Sequence, residues 1–182
     1  MRKVTFTMNI SLDGYCDHTI GEPDEEVMSY FAEQVRGVDV FFFGRIMYQL
    51  MFPYWADVAR EQSGTAAENR FAVALTAAKK VVVSTTLSEK TADIVLVRSN
   101  PAEALLKLKH QPGGLISVDS VSMLPELVAA DLIDEFNLVV HPVMVGKGRR
   151  LLDAATLQDK LKLKLNEVVK FKSGCVALHY TR

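Results

Sequence analysis

Short β-branched or aromatic runs alternate along this chain with stretches that are apolar on one helical face, and that rhythm predicts most of its elements. Lys3–Ile10 is β-rich and stops before the turn dipeptide Asp13-Gly14, so it reads as the first strand. Asp24 followed by Glu25–Arg36 has the form of an N-cap and a helix. Val27, Tyr30, Phe31, Val35 and Val38 are spaced for one face, and Gly37 ends the element. Val40–Phe43 is apolar without a break, as a strand covered on both faces must be. It passes through Gly44-Arg45 into a helical segment reaching Met51, which Pro53 and Trp55 are expected to close.

Farther on, Thr65–Ala78 has a helical pattern, Lys80–Ser84 and Ile94–Val97 read as strands, and Pro101–His110 as a helix with proline in its first turn. Pro112-Gly113-Gly114 breaks the chain. Leu115–Val118 then reads as strand, Val121–Ala130 as helix and Glu135–His141 as strand. Lys162–Lys170 and Cys175–Tyr180 form a last strand pair around Ser173-Gly174. Helices between strands early and a strand pair late predict one α/β domain over residues 1–182: a mostly parallel sheet wrapped by helices, with antiparallel C-terminal strands.

Composition narrows the function classes. The chain has 182 residues, 49% hydrophobic and 24% charged, and its 21 basic and 22 acidic side chains leave a net charge of −1. That balance offers no electrostatic footprint for nucleic acid or an anionic membrane surface. The run after Met1-Arg2-Lys3 holds Thr5, Thr7, Asn9 and Ser11 and meets Asp13-Gly14, a weak match to a signal peptide, and no apolar run is long enough to suggest a membrane span. Cys16 and Cys175 are far apart in sequence, so free thiols in a reducing cytoplasm are expected. His18, His110, His141 and His179 fall in no metal-ligating pattern, and no metal site is predicted.

Chemistry is expected where strands give way to helices, because backbone N–H groups and the positive helix end meet an anion there. Gly44 permits close backbone approach and Arg45 offers a planar guanidinium to a phosphate; the alternative is a helix start with a solvated arginine. Ser84-Thr85 closes the next strand and can offer hydroxyls, although turn and capping roles are commoner for such residues. Asp119-Ser120 occupies a third crossover, with Ser120 expected to cap the following helix. Asp13 can orient a substrate or move a proton, against the plain reading of Asp-Gly as a turn. Gly146–Arg150, with Lys147, Arg149 and Arg150, is either a phosphate grip or a solvated basic turn. Nucleophile-elbow, P-loop and Rossmann glycine motifs do not occur.

Ser11-Leu12-Asp13-Gly14, Gly44-Arg45, Met47-Tyr48 with Pro53-Tyr54-Trp55, Val82-Val83-Ser84, and Leu132-Ile133-Asp134-Glu135 through Pro142-Val143 to Gly146–Leu151 keep their order over nearly the whole chain. Together they resemble the dihydrofolate reductase-like superfamily, and within it the RibD C-terminal domain group, whose namesake is the phosphoribosylaminouracil reductase of riboflavin biosynthesis. The resemblance implies a three-layer α/β/α fold, commonly a homodimer, and NADPH, with NADH as second choice, lying across the strand-to-helix ends. It implies hydride transfer to a small heterocyclic or carbonyl substrate, with Gly44, Arg45, Ser84, Thr85, Asp119 and Ser120 lining the cofactor groove and Asp13 facing the substrate.

Three positions depart from the family pattern. Met47 stands where a threonine is common, Thr85 where an arginine often follows the serine, and Asp119-Ser120 where paired small residues admit a pyrophosphate. Each removes or opposes a phosphate contact. A non-catalytic member that binds another small ligand or a protein partner is therefore the second reading. Dihydrofolate reductase itself is a third, and Glu25, Glu26 and Glu33 of the first helix form no matching acid motif.

Overall fold

A computed structural model describes residues 1–16, 20–21, 23–88, 94–152 and 160–182. Its elements run β1 Val4–Ser11, α1 Glu25–Gln34, β2 Val38–Gly44, α2 Arg45–Glu61, α3 Ala66–Ala77, β3 Lys79–Val83, β4 Ile94–Val97, α4 Pro101–Lys109, β5 Leu115–Asp119, α5 Leu124–Ala129, β6 Glu135–His141, β7 Lys164–Lys170 and β8 Val176–Thr181. The strands form one sheet in the order β4-β3-β2-β5-β1-β6-β8-β7. All pairs are parallel as far as β6, while β8 runs antiparallel to both β6 and β7. The α/β class, the mostly parallel sheet and the antiparallel C-terminal strands are as expected.

The core divides on the alternation of β2. Phe42 points to one face, where it joins Val4, Phe6, Val118 and Phe136 beneath Leu105 and Leu108 of α4 and Leu124 and Leu127 of α5. Phe41 and Phe43 point to the other, against Met28 and Ala32 of α1, Tyr48 of α2 and Phe71 and Leu75 of α3. A period of two therefore feeds both helical layers from one uninterrupted apolar run. Val27 of α1 also packs on Val139, Phe171 and Ala177, so the same helix reaches the antiparallel end.

Local signals explain the helix starts. The Asp24 side chain accepts from Val27 N at 2.9 Å, and Thr65 and Glu68 form a reciprocal capping box on α3. Two expectations are corrected. Helix α2 does not close at Pro53 and Trp55 but continues to Glu61. Pro53 denies a hydrogen bond to the Gln49 carbonyl four residues back, but both residues are exposed, so that oxygen can turn to solvent. Tyr48 and Val58 hold the buried side of the helix. Helix α5 begins at Leu124 rather than Val121, because residues 121–123 form a turn and Pro125 sits in the first helical turn.

An ion pair between a buried lysine and a half-buried aspartate ties α4 to the segment before β6. Lys109 Nζ donates to both Asp134 oxygens, at 2.7 and 2.6 Å, and to the Leu132 carbonyl at 3.1 Å. Asp134 also accepts from Val4 N at 2.7 Å.

Candidate functional site

The parallel strands end on one side in a cavity of about 1090 Å³. Its rim comes from the ends of β2, β3 and β5: Gly44 and Arg45, Ser84, Thr85 and Thr86, and Ser120 and Ser122. Its walls are apolar, built from Met28 and Phe31 of α1 and from Met47, Met51 and Trp55 of α2. The position obeys the general rule that open parallel sheets bind ligands at the carboxyl ends of their strands. Six residues singled out in the sequence, Gly44, Arg45, Ser84, Thr85, Asp119 and Ser120, all line this one cavity.

Each is held differently. Gly44 is the N-cap of α2 and supplies no side chain to its first turn, whose N–H groups are therefore left for a ligand or solvent. Its φ of −76° needs no glycine. The space does, since a Cβ there would lie 2.6 Å from Ser120 Oγ. Arg45 hydrogen-bonds Gln49 Oε1 at 2.9 Å from an exposed position. Ser84 Oγ accepts from Thr86 N at 3.1 Å and Leu87 N at 2.9 Å, so the turn reading holds for it. Arg98 clamps the same turn by donating to the Ser84 and Leu87 carbonyls. Ser120 does not cap α5 as expected. The intervening turn separates them, and its Oγ pairs with Ser122 Oγ at 3.1 Å.

Asp119 is the last residue of β5, registered beside Phe43, and its side chain belongs to the cavity floor rather than to the turn that follows. Ser117 Oγ donates to its Oδ2 at 2.9 Å. Burial pushes its carboxyl up from the ordinary 3.8 to about 7, against the smaller opposing effect of that hydrogen bond. The carboxylate expected to repel a pyrophosphate is thus protonated in a large fraction of molecules at neutral pH.

Asp13, expected to face the substrate, lies outside this arrangement. Asp13 does not line the cavity. Its carboxylate accepts from Ser11 Oγ at 2.6 Å, Gly146 N at 2.7 Å and Val145 N at 3.2 Å. The Ser11 hydroxyl first, then these amides, hold it down at about 2, which suits an acceptor and not a proton donor. It braces two loops that are also joined by Leu12 N to Val143 O, Cys16 N to Arg149 O and Leu151 N to Gly14 O. Arg150 stacks on the Tyr15 ring within the same brace, and Arg149 lines the cavity. Replacing Asp13 by Ala should speed amide exchange at Val145 and Gly146 by roughly fivefold to tenfold in hydrogen-exchange NMR. Unchanged exchange at both would show that the brace does not depend on this carboxylate.

Sequence reasoning missed the rest of the floor. Thr7, Asn9 and Ser117 line the cavity beside Asp119. The signal was present in β1, where Val4, Phe6 and Met8 face the α4–α5 layer and Thr5, Thr7, Asn9 and Ser11 alternate with them. A central strand covered on both faces is ordinarily apolar throughout. Polar residues at every second position mark a face that opens on a cavity. Among the described residues no three of His, Cys, Asp and Glu converge as a metal site, and no helix is long and apolar enough to cross a membrane. His18 lies outside the described residues.

Known proteins resemble this chain in sequence and in fold. The chain is 26% identical over 183 residues to the uncharacterized protein YyaP of Bacillus subtilis (strain 168), covering 98% of this chain and 94% of that one. A Shewanella sp. PV-4 protein, provisionally named for riboflavin biosynthesis, superposes with a TM-score of 0.73 at 18% identity, over 100% of this chain and 99% of that one. Dihydrofolate reductase from Enterococcus faecalis, solved in complex with NADP(H), superposes with a TM-score of 0.59 at 10% identity, over 99% and 96%. At such identities the structural likenesses establish the fold. The model of the RibD C-terminal domain matches residues 2–177, and with the fold and the strand-end cavity in agreement, the chain belongs to the RibD C-terminal domain family.

Proposed function

We propose that this protein is an NAD(P)H-dependent reductase of a small heterocyclic or carbonyl substrate. The observation that carries the reading is the cavity itself, which joins a helix N-terminus and a hydroxyl-rich rim to an apolar wall and one proton-bearing carboxyl. Family membership and an NADP(H)-binding enzyme of the same fold support it. The residues present fit such a cofactor. The bare first turn of α2, the approach opened by Gly44, and Arg45, Thr85 and Ser122 would hold its phosphates. When bound, the cofactor supplies the hydride.

The chain's own contribution is placement and a proton. With its carboxyl pushed up to about 7, Asp119 carries a proton in part of the molecules at neutral pH and has one oxygen, Oδ1, outside the Ser117 hydrogen bond. It can deliver that proton to an acceptor atom reduced in the cavity, the task of a general acid whose pKa lies near the working pH. Ser117 fixes the direction of the carboxyl. The walls from α1 and α2 are apolar and lower the polarity around the exchange.

Titration with NADPH and NADH tests this directly, followed by quenching of Trp55, the single tryptophan, which lies in the cavity wall. Saturable binding of either is expected, and Gly44→Val should weaken it by at least about tenfold, since its side chain must displace Ser120. No binding of either cofactor, confirmed by calorimetry, would overturn the reductase reading.

A further inference from the structure

Behind the cavity floor lies a polar chain that the proposed reaction does not use. His141, at the end of β6, is 4% exposed, and Cys175, just before β8, is 5% exposed. Nε2 of His141 lies 2.9 Å from Asn9 Oδ1, and Nδ1 lies 3.5 Å from Cys175 Sγ. Gly21 passes over the ring so closely that a Cβ there would sit 2.8 Å from Nδ1. Asn9 alone of the three side chains reaches the cavity.

The chemistry of the three groups sets the direction of the chain. A neutral imidazole has one N–H and one bare nitrogen. Burial lowers the pKa of His141 and keeps it neutral. The pairing that uses the thiol as donor has Cys175 give its S–H to Nδ1, which leaves the ring hydrogen on Nε2. Nε2–H can only donate, and Asn9 must therefore turn its oxygen inward. The amide nitrogen Nδ2 is left outward, with no hydrogen bond among the described residues. It is not a buried orphan either, since the unpaired buried side-chain atom among those residues is His179 Nε2.

We propose that Asn9 is a specificity-determining residue, whose Nδ2 recognises a carbonyl oxygen or equivalent acceptor on the substrate, and that His141 and Cys175 are positioning residues that keep its amide in that orientation. The substrate class is thereby narrowed to compounds presenting a hydrogen-bond acceptor to the strand-β1 side of the cavity. This inference rests on the reading of the cavity as a substrate site.

Two probes of similar size separate donor from acceptor recognition. N-methyl-2-pyridone offers only an acceptor, and N-methylaniline offers one polar proton. Binding of each is followed by NMR in the wild type and in Asn9→Asp, which keeps the inward oxygen and turns an acceptor outward. Asn9→Asp should weaken N-methyl-2-pyridone by about tenfold and strengthen N-methylaniline. Cys175→Ala should weaken the pyridone by about threefold and Cys175→Ser, whose hydroxyl donates to Nδ1, should restore it. Imidazole ¹⁵N shifts of the wild type should show His141 with its hydrogen on Nε2, a readout that needs no variant.

Equal affinities of wild type and Asn9→Asp for both probes would overturn the proposal, as would a hydrogen found on Nδ1. NADPH titration of the same samples keeps the two readings apart. Retained NADPH binding with unchanged probe affinities removes only the role of Asn9, whereas absence of NADPH binding in the wild type removes the reductase.

Discussion

Asp119→Asn should make the protein more stable at pH 8 than the wild type while lowering its turnover. A carboxyl raised from 3.8 to about 7 loses proton affinity on unfolding. Below 3.8 the group is protonated in both states and costs nothing. Between 3.8 and about 7 the unfolded chain ionises while the folded one holds its proton, so wild-type stability falls with rising pH, and above about 7 the full penalty is in place. The whole interval corresponds to about 4 kcal/mol, and screening by solvent at the cavity mouth leaves about 2–3 kcal/mol. Asparagine keeps an acceptor for Ser117 and carries no charge to bury. Urea denaturation from pH 4 to pH 8 should therefore show the two proteins converging at the acidic end and separating at the basic end. Parallel curves would mean that the carboxyl is not perturbed. If Asp119 is the proton donor, the same variant loses about a hundredfold or more in turnover on any substrate found.

The second large effect concerns the fold alone. Asp134→Ala is expected to destabilise by about 3–4 kcal/mol, or about 10 °C in melting temperature for a domain of this size. It removes the acceptor of Val4 N and leaves the Lys109 ammonium, 5% exposed, with only the Leu132 carbonyl. The double variant Lys109→Met with Asp134→Leu should lose less than Asp134→Ala, because no uncompensated charge remains. Calorimetric melting of the single and double variants decides it. A loss under about 1 kcal/mol for Asp134→Ala would show that water or a rearranged side chain replaces the pair. Asp134 thus earns its place among the residues that carry the family resemblance through packing and charge, away from the cavity.

Much of the fold was legible because its signals are local. The capping residues Asp24 and Thr65, the apolar run Val40–Phe43 and the turn at Ser173-Gly174 each act within a few residues, and each element formed where its own pattern placed it. The exceptions were decided by neighbours. Pro53 could sit inside α2 because the carbonyl it orphans can turn to solvent and because Tyr48 and Val58 bury the opposite side. Ser120 could not cap α5 because the turn at 121–123 separates them.

The same division runs through the site. By itself the sequence determined which strand ends carry Gly44, Arg45, Ser84, Thr85, Asp119 and Ser120, since parallel strands followed by helices must present their carboxyl ends together. Only the tertiary structure decided what those residues do there. It turned Asp13 toward the amides of Val145 and Gly146, more than a hundred residues away, and made it a brace. It closed walls around Asp119 until its charge became costly, and it set His141 and Cys175 behind Asn9. Desolvation and hydrogen-bond direction depend on groups brought together from distant parts of the chain, and no local pattern of residues encodes them.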